Sequence, residues 1–306
     1  MLSNSPFTQQ TYALSVVIPT LGGESLAGTI EKLNCGTLVP SEILICIPEE
    51  DVFRVKDLSF PNLRVVKTTC RGQVAQRAIG FQEAKESLVL QLDDDILVRE
   101  TCLQNMVNCT MRFTDVAVGP KLYDIKTRKY HSFLVLTATS QQWYERFLFW
   151  VINGFEGYKP GQIGRAGINM GIPEEPGDWN DLGWLPGGCI LHRRKNLILY
   201  DYYPFKGKAY AEDLFHSLLL KKKGVKLLRC GSAICEVNFS SSSAVGIVNF
   251  FKGYLAYART MTRFVTDTDG SLLRLCLFLV LNPVLLVARK RRLFKTQKKI
   301  ASPKDV

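Results

Sequence analysis

Residues 88–95 read Leu-Val-Leu-Gln-Leu-Asp-Asp-Asp, five mostly apolar residues running straight into three carboxylates. Three adjacent acids repel one another and are costly unless something positive sits on them. A divalent ion is the usual solution, because Mg2+ and Mn2+ prefer carboxylate and phosphate oxygens. The plain alternative is a solvated acidic turn between a strand and a helix. A second acidic pair, Glu212-Asp213, opens a helical stretch, where it either complements the helix dipole or takes part in chemistry. The nine cysteines contain no Cys-x-x-Cys pair, so a zinc site is not expected. His131, His192 and His216 are too dispersed to form a site and read as structural.

The elements that must position these acids alternate. Leu14–Pro19 is an apolar strand stopped by proline before Thr20, with Leu21-Gly22-Gly23-Glu24-Ser25 as the turn after it. A helix is expected from Ser25 to Asn34. Glu42–Pro48 repeats the strand pattern and runs into Glu49, Glu50 and Asp51. Leu63–Lys67 is a shorter strand, Gly72–Ala84 a helix, and the strand carrying Asp93 follows. Such alternation means βαβ units and a largely parallel sheet. Right-handed crossovers put the strand C-termini on one edge, where open α/β sheets bind ligands. Pro19-Thr20, Glu49–Asp51 and Asp93–Asp95 should therefore meet there. Neither Gly-x-Gly-x-x-Gly after the first strand nor a P-loop occurs, which argues against a dinucleotide enzyme and a P-loop NTPase.

Beyond Asp95 the pattern predicts a helix over 100–113, a strand over Val116–Pro120 and an amphipathic helix from Trp143 to Trp150. The aromatic face of that last helix either packs or is exposed toward an acceptor or a membrane. Residues 153–188 hold ten glycines and four prolines, the mark of a lid or binding loop. A tight turn at Gly187-Gly188 leads into a strand, Ala211–Lys223 is a helix, and Val225–Leu228 and Ala233–Cys235 are closing strands. Ser240–Ser243 is a polar break.

The net charge is +11, but residues 289–306 carry eight Lys/Arg against one acid, leaving only +4 for the rest. Nucleic acid is therefore not an expected partner. The odd cysteine count and the polar start, with no signal-peptide pattern, favour a reducing cytoplasm. The apolar stretch 272–288, broken by Arg274 and Asn282-Pro283, sits at the short limit for a span. With its basic flank it reads as attachment to an anionic cytoplasmic leaflet, a buried helix and a true span being the alternatives.

Taken together, Ser15–Thr20, Gln76-Arg77-Ala78-Ile79-Gly80, Leu92–Asp95, Pro186-Gly187-Gly188 with Arg193-Arg194, and Ala211-Glu212-Asp213-Leu214 resemble, in order and spacing, the inverting glycosyltransferases of the large family 2 type. The resemblance spans roughly residues 12–240. It implies a GT-A, Rossmann-like α/β fold: a mostly parallel sheet flanked by helices, with a C-terminal helical membrane-associating segment. Residues 1–240 would be the glycosyltransferase domain, 12–98 its nucleotide-binding half and 99–240 its acceptor-binding half, and 241–306 the membrane-associating basic segment.

The implied reaction moves a sugar from a nucleotide-sugar, expected to be a UDP-sugar, to a hydroxyl of a glycan or lipid-linked glycan in polysaccharide assembly. Negative charge develops on the leaving diphosphate, which a metal can stabilise. The attacking hydroxyl needs a base. By resemblance Asp93 and Asp95 hold Mn2+ or Mg2+, or Asp93 instead reaches the ribose or base, while Asp94 faces either the sugar or solvent. Pro19, Thr20, Glu49, Arg77, Asp93, Asp94, Gly188 and Arg193 are the expected nucleotide-sugar contacts, with Arg71 a further candidate. Asp213 is the expected base, and Glu212 positions it or the acceptor. The histidine that often follows the closing strand is absent; Cys235-Glu236-Val237-Asn238 stands there, so Glu236 or Asn238 substitutes or the metal has fewer protein ligands. The expected location is cytoplasmic, peripheral to or anchored in the cytoplasmic membrane face. Two rivals are a sugar nucleotidyltransferase, which would want a basic Gly-rich loop where Leu21–Ser25 has no Lys or Arg, and a non-catalytic membrane scaffold of the same shape.

Overall fold

A computed structural model describes residues 13–128, 130, 143–238 and 247–282. In it the apolar runs of the first hundred residues become strands: β1 (Leu14–Pro19), β2 (Glu42–Pro48), β3 (Leu63–Thr68) and β4 (Leu88–Leu92), alternating with α1 (Leu26–Asn34) and α2 (Gln73–Glu83). β1, β2 and β4 are buried along nearly their whole length, as strands covered on both faces must be. Next come β5 (Ile96–Val98), α3 (Cys102–Met111), β6 (Val116–Asp124), α4 (Trp143–Asn153), β7 (Cys189–Arg193), α5 (Glu212–Lys222), β8 (Lys226–Val237) and α6 (Ile247–Asp267). A further helix covers 272–282.

The described strands form one sheet in the order β3-β2-β1-β4-β7-β6-β8-β5. The β3-β2-β1-β4 run and the β6-β8 pair are parallel. β7 is antiparallel to both its neighbours, β4 and β6, and β5 is antiparallel to β8. The sheet is thus mixed, with six strands running one way and two reversed, β7 near its centre and β5 at its edge.

Three local expectations are corrected. Pro120 does not stop β6: the register with β8 shifts between Gly119 and Lys121, so the missing proline N–H falls where the ladder is already irregular. The two expected closing strands are one, β8, which carries that irregularity through Cys230–Ala233. The short β5 is an addition to the expected elements.

One face of the sheet packs on α1 and α3 through residues such as Val16, Ile30, Leu33 and Met106. The other packs on α2 through Val17, Cys46 and Phe81. Gly80 lets α2 lie close, since a Cβ there would stand 2.4 Å from both Val17 Cγ1 and Cys46 Sγ. A helical layer joins α4, α5, α6 and the 272–282 helix around Leu148, Ile152, Phe215, Phe264, Leu275 and Phe278. The 153–188 connection is not a free flap. Ile168, Met170 and Trp184 belong to this same cluster, and Trp184 Nε1 donates to Met170 O at 3.1 Å. No described helix is long and apolar enough to cross a membrane. The Ser240–Ser243 break, His131 and the basic run 289–306 lie outside the described residues.

Candidate active site

Because β1, β2 and β4 run parallel, their C-terminal ends share one edge. Gln76 on α2 stitches two of them, donating to Thr20 O at 2.8 Å and Cys46 O at 2.7 Å. Pro19 is buried within the β1–β2 ladder and contributes wall rather than a donor. The Thr20 hydroxyl donates to Asp94 Oδ2, and the Thr29 hydroxyl donates to Asp94 O at 2.9 Å. Asp94, expected to face sugar or solvent, is therefore tied to Thr20. At the end of β2 the buried acid is Asp51, 4% exposed and paired with Arg71 and Arg54. Glu49, the expected contact, lies on the surface against Lys67 at 3.4 Å.

A buried cation joins this edge to the second acidic pair. Arg77 is 1% exposed. It donates to Asp93 Oδ1 at 3.2 Å and to both oxygens of Glu212 at 3.0 and 3.1 Å. Gln73 adds a hydrogen bond to Asp93 Oδ1 at 2.7 Å, and the Tyr202 hydroxyl donates to Glu212 Oε2 at 2.8 Å. The Gly187-Gly188 turn threads between the two acids. A Cβ at Gly187 would lie 2.4 Å from Glu212 Oε1, and one at Gly188 would lie 2.5 Å from Ile96 Cδ1 and 3.1 Å from Asp93 Oδ2. The turn is pinned by Asp93 N donating to Gly188 O at 2.8 Å and by the Gln91 amide donating to Gly187 O.

Asp213 follows in the first turn of α5. The residue before the pair, Ala211, holds a left-handed backbone (φ 53°), a conformation that costs a non-glycine residue roughly 1–2 kcal/mol. Asp213 Oδ1 accepts from Leu214 N at 3.1 Å. Burial pushes its carboxyl up to about 7, and the neighbouring Glu212 adds to the push. Burial likewise raises Asp93 to about 6, with Arg77 opposing and Glu212 reinforcing. Desolvation and then Asp94 raise Asp95. Raised carboxyls gathered beside one sheet edge make this the candidate site.

The donor set fits a hard divalent ion. Asp93 has committed Oδ1 to Gln73 and Arg77, leaving Oδ2, and Asp95 is exposed. Mg2+ and Mn2+ commonly take one or two carboxylates and complete their shell with water and phosphate oxygens. Glu236 is occupied by Arg99 at 2.8 Å. β5 and β8 pair Ile96 with Val237, so continuing that register sets Asn238 opposite Asp95.

Arg193 is a correction. β7 runs antiparallel to β4, so Arg193 pairs with Leu88 at the far end of that strand and donates to Thr110 O and Phe113 O at 3.1 and 2.8 Å. Arg194 likewise binds Lys85 O. Gly188, at the opposite end of β7, lies against Asp93. His192 and His216 are buried with ring centroids 5.3 Å apart, and Tyr202 stacks on His216. Burial lowers His216 to about 3 and His192 well below the usual range, so both are neutral and structural. Gln73 and Tyr202 also hydrogen-bond these acids and were not singled out from the sequence, while Gln76 stood only within the segment that carries the family resemblance.

No protein-family profile and no curated protein matches the chain. Among solved structures it is similar to GalNAc-T7 with UDP, GalNAc and Mn2+, at 17% identity and a TM-score of 0.53, covering 81% of this chain and 48% of that one. It also aligns with S. aureus TarS 1–349 at 15% identity and a TM-score of 0.44, over 81% and 65% of the two chains. The same TarS fragment in complex with UDP-GlcNAc gives 13% and 0.43, over 81% and 66%. The chain spans about half the length of the GalNAc-T7 structure. The eight-stranded curled sheet with its flanking helices is a GT-A-like glycosyltransferase fold.

Proposed function

We propose that this chain is a metal-dependent inverting glycosyltransferase. It moves a sugar from a nucleotide-sugar, a UDP-sugar, to a hydroxyl of a glycan or lipid-linked glycan at the cytoplasmic face of a membrane. The observation that carries the reading is the Asp93–Arg77–Glu212 chain, its arginine and glutamate buried, which ties the donor-side acid to the start of α5 beside Asp213.

Each residue then has a task. Thr20, Asp94 and Asp51 shape the nucleotide edge. Arg77 neutralises Asp93 and Glu212 together, so neither repels the diphosphate at full strength. Asp213, raised to about 7, is poised to take the acceptor hydroxyl proton near neutral pH. Glu212 is held away from proton transfer by Arg77 and Tyr202 and orients the base. Asp95, Asp93 Oδ2 and Asn238 would hold Mn2+ or Mg2+. When bound, that ion supplies charge stabilisation at the departing diphosphate.

The test is UDP release and sugar transfer with and without Mn2+, the donor being chosen by a thermal-shift panel of nucleotide-sugars. Asp95→Ala and Asp213→Ala should each lower turnover by roughly a hundredfold or more. Full activity in both variants would overturn the reading, and pyrophosphate as the product would replace it with a nucleotidyltransferase.

A further inference from the structure

Two helices leave apolar stripes open to solvent. On α4, Trp143, Phe147 and Trp150 stand at i, i+4 and i+7 and are 78, 47 and 40% exposed. On the 272–282 helix, Leu273, Leu277 and Val280 repeat that spacing at 73, 42 and 73%. The inner sides of both helices are already used: Leu148 and Ile152 of the first, and Leu275 and Phe278 of the second, lie in the shared core. The outer stripes are therefore not core waiting for a missing neighbour within these helices. They are also joined. The Arg274 guanidinium lies 5.2 Å over the Trp150 ring and donates to Trp150 O at 2.6 Å. Exposed apolar surface of this extent marks an interaction site.

Charge identifies what covers it. Seven residues beyond Asn282 begins the run 289–306, with its eight Lys/Arg and one acid. Tryptophan and phenylalanine at headgroup depth, flanked by a polybasic segment, is the combination that binds an anionic bilayer. A second copy of this chain would bring a like basic run against this one, which charge repulsion opposes. The described part of this helix, residues 272–282, is about 16 Å at 1.5 Å per residue.

We propose that α4 and the 272–282 helix form one docking face for an anionic lipid bilayer. The same helical layer carries the catalytic end of α5. Phe215, two residues from Asp213, packs on Phe264 of α6 with ring centroids 5.2 Å apart. Resting on the transfer reading above, the acceptor class that docking delivers to Asp213 is a lipid-linked hydroxyl.

The test is co-sedimentation of the full chain with vesicles of phosphatidylcholine alone or with roughly 30% phosphatidylglycerol, at about 0.05 M and 0.5 M salt. Wild type should pellet with the anionic vesicles at low salt and be largely released at high salt. Trp143→Glu combined with Leu273→Glu, both at highly exposed positions, should reduce the bound fraction about tenfold with Tm unchanged. Arg289→Glu with Arg291→Glu and Arg292→Glu should do the same. Asp213→Asn should lose transfer but keep vesicle binding, so a failure of docking and a failure of the transfer reading are told apart. Wild type remaining in the supernatant at low salt, or variants that bind as wild type, would overturn the proposal. So would a dimer in light scattering that the Trp143/Leu273 pair dissociates, because a second copy would then cover the face.

Discussion

Replacing Asp213 by asparagine should stabilise the protein at alkaline pH, and the size of the effect follows from the carboxyl's position. Its ordinary value is 3.8 and its folded value about 7. Between those limits the unfolded chain has released the proton and the native state has not. Native stability therefore falls as pH rises, by about 1.4 kcal/mol per pH unit. Over roughly three units the loss is at most about 4 kcal/mol, incurred between about pH 4 and pH 7 and constant above. The substituted amide cannot ionise, yet its carbonyl can still accept from Leu214 N, so the variant escapes the loss without opening a new one. An unfolding entropy of roughly 2.1 cal/mol/K per residue makes 4 kcal/mol worth about 6 °C in a chain of this length. Differential scanning calorimetry of wild type and Asp213→Asn across this pH range should show the variant ahead by several degrees at pH 8 and the gap closing toward pH 4. Wild-type transfer should rise through pH 7 as the same carboxyl ionises. A gap independent of pH, or a variant less stable at pH 8, would mean Asp213 titrates as an ordinary surface acid and is no poised base.

Arg77→Met strands a buried and a partly buried carboxylate and should cost about 3–5 kcal/mol in urea denaturation at pH 7, less at pH 5 where protonation relieves Asp93; a loss below about 1 kcal/mol would show the triad to be loosely solvated. Gly187→Ala forces a Cβ onto Glu212 and should reduce kcat far more than donor binding, and an unchanged kcat would show that the turn does not set the acid spacing. Arg193→Met should leave the donor KM untouched while lowering stability by roughly 1–3 kcal/mol through the freed Thr110 and Phe113 carbonyls. A raised donor KM would return Arg193 to the site.

Buried parallel strands are unbroken apolar runs, so β1, β2 and β4 could be read directly, and with them the edge that gathers Thr20 and Asp93–Asp95. The acid clusters themselves were visible for the same reason, one abutting an apolar run and one opening a helix, though a solvated turn and a dipole-complementing pair would look the same. What could not be read is direction and partnership. Gly187-Gly188 followed by a strand looks the same whichever way the strand runs, and only its antiparallel pairing with β4 carries Arg193 away from the site. The acids after β2 are alike in composition, and packing alone selects Asp51 over Glu49 for burial. Gln73 and Tyr202 escaped notice, and Gln76 was given no role of its own, because neutral hydrogen-bonding side chains carry no periodic or charge signature. β5, three residues long, is too short to show a period.

The position of β7 has a consequence for how the chain comes to be folded. Its partners β4 and β6 are made long before it: about 100 residues separate Leu92 from Cys189. At roughly 5–20 residues per second a ribosome needs about 5–20 s to cover that distance. During that interval β4 presents an open, wholly buried-type edge, the kind that recruits foreign strands. The late strand closes that edge and, through Gly187-Gly188, places the turn against Asp93 into which α5, made later still, sets Glu212. A nascent chain stopped short of residue 193 therefore still carries the open edge and is prone to aggregate.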